Sequence, residues 1–141
     1  MSAVLLLRIS AVTSFLFALG HTLGGMKFWS PMGDNQVLQL MRSVHFDVIG
    51  TSRSYFDFYM GFGWSLSVAG FLQAILLWQI SSFLNKNAAT ARPMVAAIAL
   101  AVGMSGIIAW QFLFFIPALF SLVLFGLLVA TFVISGRTSS T

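Results

Sequence analysis

The sequence contains no cysteine. Disulfides, thiolate metal sites, c-type haem attachment and thiol redox chemistry are therefore excluded, as is a quinone reductase working through a CxxC pair. Charge is nearly as scarce. Only 7% of the 141 residues are charged, three acids against seven lysines and arginines, whereas soluble domains carry roughly 25%. So few charges cannot coat a water-facing globule. Disorder is excluded too, since it needs low hydrophobicity and high charge. What remains is an integral membrane protein, a single domain of about four helices. The net charge of +4 arises from scattered cations without a basic run. That argues against a nucleic-acid partner and for anionic lipid headgroups.

The apolar residues, 59% of the chain, group into stretches of membrane-spanning length. A helix needs about 20 apolar residues to cross roughly 30 Å of hydrocarbon. Residues 3–25, 54–80, 93–115 and 117–135 meet that length, with Arg8 and Asp57 as their inner charges. Residues 93–135 form one uncharged run. As a single helix it would extend about 65 Å, twice the bilayer core, so it must fold back. Phe115-Ile116-Pro117 is the expected corner, because proline suits the first turn of a helix and not its interior. Pro93 is expected to open the third span in the same way. The first span has a rival reading as a secretory signal, with Arg8, the stretch from Ile9 to Leu19 and a small-residue site at Ala18-Leu19-Gly20. Val4 to Leu7, ahead of Arg8, favour an uncleaved helix.

Four crossings put the two termini and the 81–92 loop on one side, with Arg8, Lys86, Arg92 and Arg137 and no acid. The other side holds Lys27, Arg42 and Arg53 with all three aspartates. The cation bias predicts cytoplasmic termini. Trp29, Tyr55, Tyr59 and Trp110 then fall near the outer interface and Trp78 near the inner one. Small residues recur at helical spacing in Gly63-xxx-Ser67, Gly70-xxx-Ala74, Ala99-xxx-Gly103, Gly103-xx-Gly106 and Ser105-xxx-Ala109. Such stripes let helices approach closely, within one chain or across a homodimer.

Polar character is concentrated in residues 21–59, which hold both histidines, all three aspartates and three of the seven basic residues. Gly33-Asp34 reads as a turn opening an amphipathic helix from Asn35 to about Ile49. Val37, Leu40, Met41, Val44 and Val48 share its apolar face. Too short and polar to span, it suits the outer interface or the mouth of the bundle. His45 lies at the edge of that face and Asp47 on the opposite flank, so a regular helix does not aim them together. His21 ends the first span and is expected to hydrogen-bond a neighbouring helix or contact a ligand. Arg53 and Asp57 stand at i and i+4 and are expected to pair on the second span, since an unpaired acid near hydrocarbon is costly. Tyr59 adds a hydroxyl at the same level. His21, His45, Asp47, Arg53, Asp57 and Tyr59 are therefore the candidate ligand-binding residues. Their spacing follows no metal-ligand pattern, and no metal or other cofactor is expected.

The stretches His21-Thr22-Leu23-Gly24-Gly25 and Ser52-Arg53-Ser54-Tyr55-Phe56-Asp57-Phe58-Tyr59 resemble motifs of the small bacterial four-helix membrane proteins grouped around the DoxX-like families. The resemblance covers span number and the polar segment between spans one and two. It implies an all-α integral membrane four-helix bundle with a short amphipathic interfacial helix, residing in a bacterial inner membrane. Three functions compete. One is a binding or accessory subunit holding membrane lipid, an apolar small molecule or quinone, or a partner membrane protein at the outer polar mouth. Another is an intramembrane enzyme using histidine and aspartate for acid–base work on an apolar substrate. The third is an oligomeric transporter, disfavoured because spans three and four carry only Gln111 as a strongly polar side chain.

Overall fold

The computed structural model describes residues 2–28, 30 and 32–137. Trp29 and the polar tail 138–141 lie outside the described residues. In chain order the elements are α1 (Ala3–Phe28), α2 (Gln36–Ser43), β1 (His45–Val48), β2 (Thr51–Ser54), α3 (Tyr55–Phe83), α4 (Ala88–Phe112) and α5 (Phe115–Arg137). Four of them, α1, α3, α4 and α5, are long and apolar enough to cross a membrane. A spanning helix closes all its backbone hydrogen bonds internally, as hydrocarbon demands. The chain is thus a mainly helical, multi-pass membrane protein. It divides into two compact units, residues 1–17 with 70–141, and residues 18–69.

The first unit has one apolar core to which all four long helices contribute. Leu7 and Ala11 of α1, Leu77 and Ile80 of α3, Val95 and Ala99 of α4, and Leu124 and Leu128 of α5 are buried together. Large apolar side chains such as Leu72, Leu100, Ile107 and Leu122 stay exposed, which suits a surface solvated by lipid. Polar bonds tie α1 to α3. The Ser14 hydroxyl donates to the Gly70 carbonyl at 3.4 Å, and the Gln73 amide donates to the Ser14 oxygen at 3.0 Å. Small residues bring α4 onto α5. A Cβ on Gly103 would meet the Phe125 ring at 3.2 Å, and one on Gly106 would meet Ser121 Cβ at 3.0 Å. The stripe on α4 therefore serves packing within the chain. Arg8 lies over Trp78 at 5.5 Å and Arg92 over Phe132 at 4.5 Å, cation–π placements that let a guanidinium rest on an apolar surface.

Pro93 sits differently from the sequence expectation, and the corner before α5 is displaced by two residues, while Pro117 takes the expected first turn of a helix. Helix α4 starts at Ala88 because Asn87 caps it, its side chain accepting the Thr90 N–H at 3.1 Å. Pro93 is consequently inside the helix. The corner lies at Leu113 and Phe114, and Pro117 falls in the first turn of α5, where no intrahelical N–H bond is lost.

In the second unit, Asn35 caps α2 by accepting the Leu38 N–H at 3.1 Å. The helix expected over residues 35–49 stops at Ser43. Val44 is already extended, with φ −80° and ψ 112°. From there the chain forms an antiparallel hairpin pairing His45 with Ser54, Phe46 with Arg53, Asp47 with Ser52 and Val48 with Thr51. Two facts override the helical period. His45-Phe46-Asp47-Val48 alternates polar and apolar as a strand does. Gly50, at φ 77°, supplies half of a two-residue turn whose other half is Ile49, at φ 49°, the paired positive angles of a tight hairpin.

Candidate functional site

Strand geometry changes which polar residues of the second unit face together. Alternate residues of a strand share a face, so His45 and Asp47 point to one side of the hairpin. The register adds Ser52 and Ser54 to that side and leaves Phe46, Val48, Thr51 and Arg53 on the other. A helix would have separated His45 from Asp47. The His45 Nδ1 lies 2.9 Å from the Ser43 carbonyl oxygen. A carbonyl only accepts, so Nδ1 carries the proton there and Nε2 is the position left for a neutral ring's lone pair.

Asp57 has a local role. Its Oδ2 accepts from the Ser54 N–H at 2.8 Å and from the Ser54 hydroxyl at 2.9 Å, while the Asp57 N–H donates to Ser54 Oγ at 3.1 Å. This reciprocal capping box closes the first turn of α3. It replaces the expected Arg53–Asp57 pair. Arg53 belongs to β2, so helical i and i+4 spacing does not apply, and its guanidinium donates to the Ser52 carbonyl at 3.1 Å. The ion pair that the described residues of this segment do form joins Arg42 to Asp34 at 3.6 Å. Arg42 also lies over the Phe56 ring at 4.8 Å.

His21 is held between helices. Its Nδ1 is 3.1 Å from Ser67 Oγ, and that hydroxyl is 3.3 Å from the Gly63 carbonyl oxygen. With Ser67 donating to Gly63, the serine oxygen accepts Nδ1–H of His21. The Gly63-xxx-Ser67 stripe therefore meets α1 of the same chain. Tyr59 stacks obliquely on Phe56 with ring centroids 6.5 Å apart. Phe46 packs on Tyr55 at 4.8 Å and on Phe58 at 5.4 Å, which fastens the hairpin to the first turn of α3. The six candidate residues thus divide. His45 and Asp47 share a hairpin face, Asp57 and Arg53 are engaged locally, Tyr59 lies against Phe56, and His21 bridges α1 and α3. Among the described residues, no three histidines or acids gather to hold a metal ion.

Sequence reasoning missed a second feature. In the first unit a cavity of about 610 Å³, open to the exposed apolar surface, lies along α4 and α5, lined by Gly103, Ile107, Trp110, Ser121, Leu122 and Phe125 among others. Trp110 and Ser121 bring the N–H and O–H groups of an otherwise apolar lining. Its size falls within the range of small-molecule sites. No sequence signal pointed to it, because small residues such as Gly103 and Gly106 predict close packing. Comparisons with family models, curated proteins and solved structures find no match to this chain.

Proposed function

We propose that the protein is a membrane-embedded binding or accessory subunit of a bacterial inner membrane, both termini cytoplasmic, which holds an apolar molecule of lipid or quinone type. The α4–α5 cavity carries this reading. It is apolar and of ligand size, and Trp110 and Ser121 are the residues of its lining that carry an N–H and an O–H able to orient a polar end. A molecule dissolved in the bilayer reaches such a site without crossing water. Mild extraction followed by native mass spectrometry tests it. A bound apolar molecule is expected with the natural chain, and its loss is expected with Ala118→Phe, since Ala118 of α5 also lines the cavity and the larger ring would occupy it. Val68→Phe, on an exposed position of α3, is expected to keep it. Equal occupancy in the natural chain and in Ala118→Phe would sink the proposal.

A second reading, an enzyme using acid–base chemistry, rests on His45 and Asp47 sharing one hairpin face. It requires both residues for turnover, whereas the binding reading leaves ligand occupancy unchanged in His45→Ala.

A further inference from the structure

The segment between α1 and α3 presents more apolar surface than the chain itself covers. No residue of α2 is buried, and Val37 and Leu40 along it and Val44 just after it are exposed. Val48 is exposed beside the hairpin turn, and Ile49 in the turn is fully exposed, at 101%. Ile49 is also the one described residue other than glycine with positive φ. A β-branched side chain is strained there, and turns of this type ordinarily take Asn, Asp or Gly at that position. Asparagine would be easier for the backbone and better solvated by water. An isoleucine held in a strained conformation with its whole side chain outward has a use for that side chain outside the chain's own fold.

We propose that α2 and the hairpin tip form an anchor that docks into the headgroup–acyl boundary of the bilayer, with Ile49 as its penetrating residue. Continuity with the lipid-facing helices selects the occupant. Ser54 ends β2 and Tyr55 begins α3 with no linker, so the tip lies within about 17 Å, the reach of five strand steps, of the point where α3 starts. The Phe46 contacts on Tyr55 and Phe58 hold the hairpin against that first turn rather than leading it away. Helix α2 packs against β2, which keeps the two apolar parts in one body. The hairpin is amphipathic in the sense an interface requires. Phe46 and Val48 share a face with Arg53, whose guanidinium suits lipid phosphate, while His45 and Asp47 occupy the other face.

The absence of cysteine makes site-directed spin labelling direct. Ile49→Cys, Leu40→Cys and Asp47→Cys are labelled one at a time in the full chain, which is then reconstituted in phosphatidylcholine–phosphatidylglycerol vesicles. Collision rates with oxygen and with a water-soluble nickel chelate are compared. The labels at 49 and 40 are expected to show an oxygen-to-nickel ratio several-fold above that at 47. Position 40 keeps the test valid should a label disturb the turn at 49. Ratios at 49 and 40 equal to that at 47 place both in water and overturn the proposal. Shielding from both reagents also overturns it, and dipolar broadening that fades on dilution with unlabelled chain then identifies a second copy as the occupant.

Discussion

Ser54 carries the junction between hairpin and helix through its backbone N–H and its hydroxyl, both engaged with Asp57. Ser54→Ala removes the side-chain cap and leaves the Asp57 N–H without its acceptor. Loss of an N-cap hydroxyl costs about 1 kcal/mol, and unfolding in detergent should show a loss of that order. Asp57→Ala is expected to destabilise as well, and Asp57→Asn less so, since the amide oxygen still accepts. Arg53→Gln should be close to neutral, because its bond runs to its own strand. A large loss for Arg53→Gln with none for Ser54→Ala would restore the ion-pair reading. The Ser-x-x-Asp spacing was legible as a cap from the sequence alone. The ion-pair reading failed because it extended the helix two residues too early. Ile49 shows a different balance. A left-handed conformation costs an L-residue about 1–2 kcal/mol, and withdrawing an isoleucine side chain from water returns about 1.5–3 kcal/mol. The second term covers the first only where that side chain leaves water.

Helix α4 meets α5 through glycines whose neighbours differ in their freedom to yield. A Cβ added at Gly106 would meet Ser121 Cβ at 3.0 Å, an atom fixed by its own backbone. One added at Gly103 would meet the Phe125 ring at 3.2 Å, which can turn aside, and one at Gly126 would meet nothing within 4 Å. Gly106→Ala is therefore expected to destabilise by about 1–3 kcal/mol, the usual cost of overpacking. Gly103→Ala should cost less, and Gly126→Ala should be neutral or slightly stabilising, as thermal unfolding in detergent can rank. Equal effects at positions 106 and 126 would show that α4 and α5 do not approach at Gly106. That these stripes pack helix on helix could be read from spacing, because close approach needs small residues regardless of partner. The hairpin could not be read so easily. Val37, Leu40, Met41, Val44 and Val48 satisfy the helical period across a boundary where the backbone has already turned extended. A single glycine after a β-branched residue is weak evidence for a turn. The cavity was not legible at all, since a void depends on how two helices diverge and not on either sequence.

The arrangement of the whole molecule in the membrane follows from length and from where cations lie. Four helices of spanning length return the chain to the side on which it began. Arg8, Lys86, Arg92 and Arg137 then share the side of the termini without a single acid, against Lys27, Arg42 and Arg53 on the other. Cations flanking spans are retained in the cytoplasm, while acids contribute little, so a bias of this sign predicts termini that face inward. Two of the four cations on the side of the termini also rest on aromatic rings, Arg8 on Trp78 and Arg92 on Phe132. The prediction is read with a membrane-impermeant thiol reagent, against a background free of native cysteine. Gln39→Cys, exposed on α2, should react in intact cells. Asn85→Cys, in the exposed turn between α3 and α4, should react only after lysis, and it leaves both the Asn87 cap and the nearby Lys86 in place. Reversed labelling would invert the orientation, and reaction of both positions from outside would break the four-crossing arrangement itself.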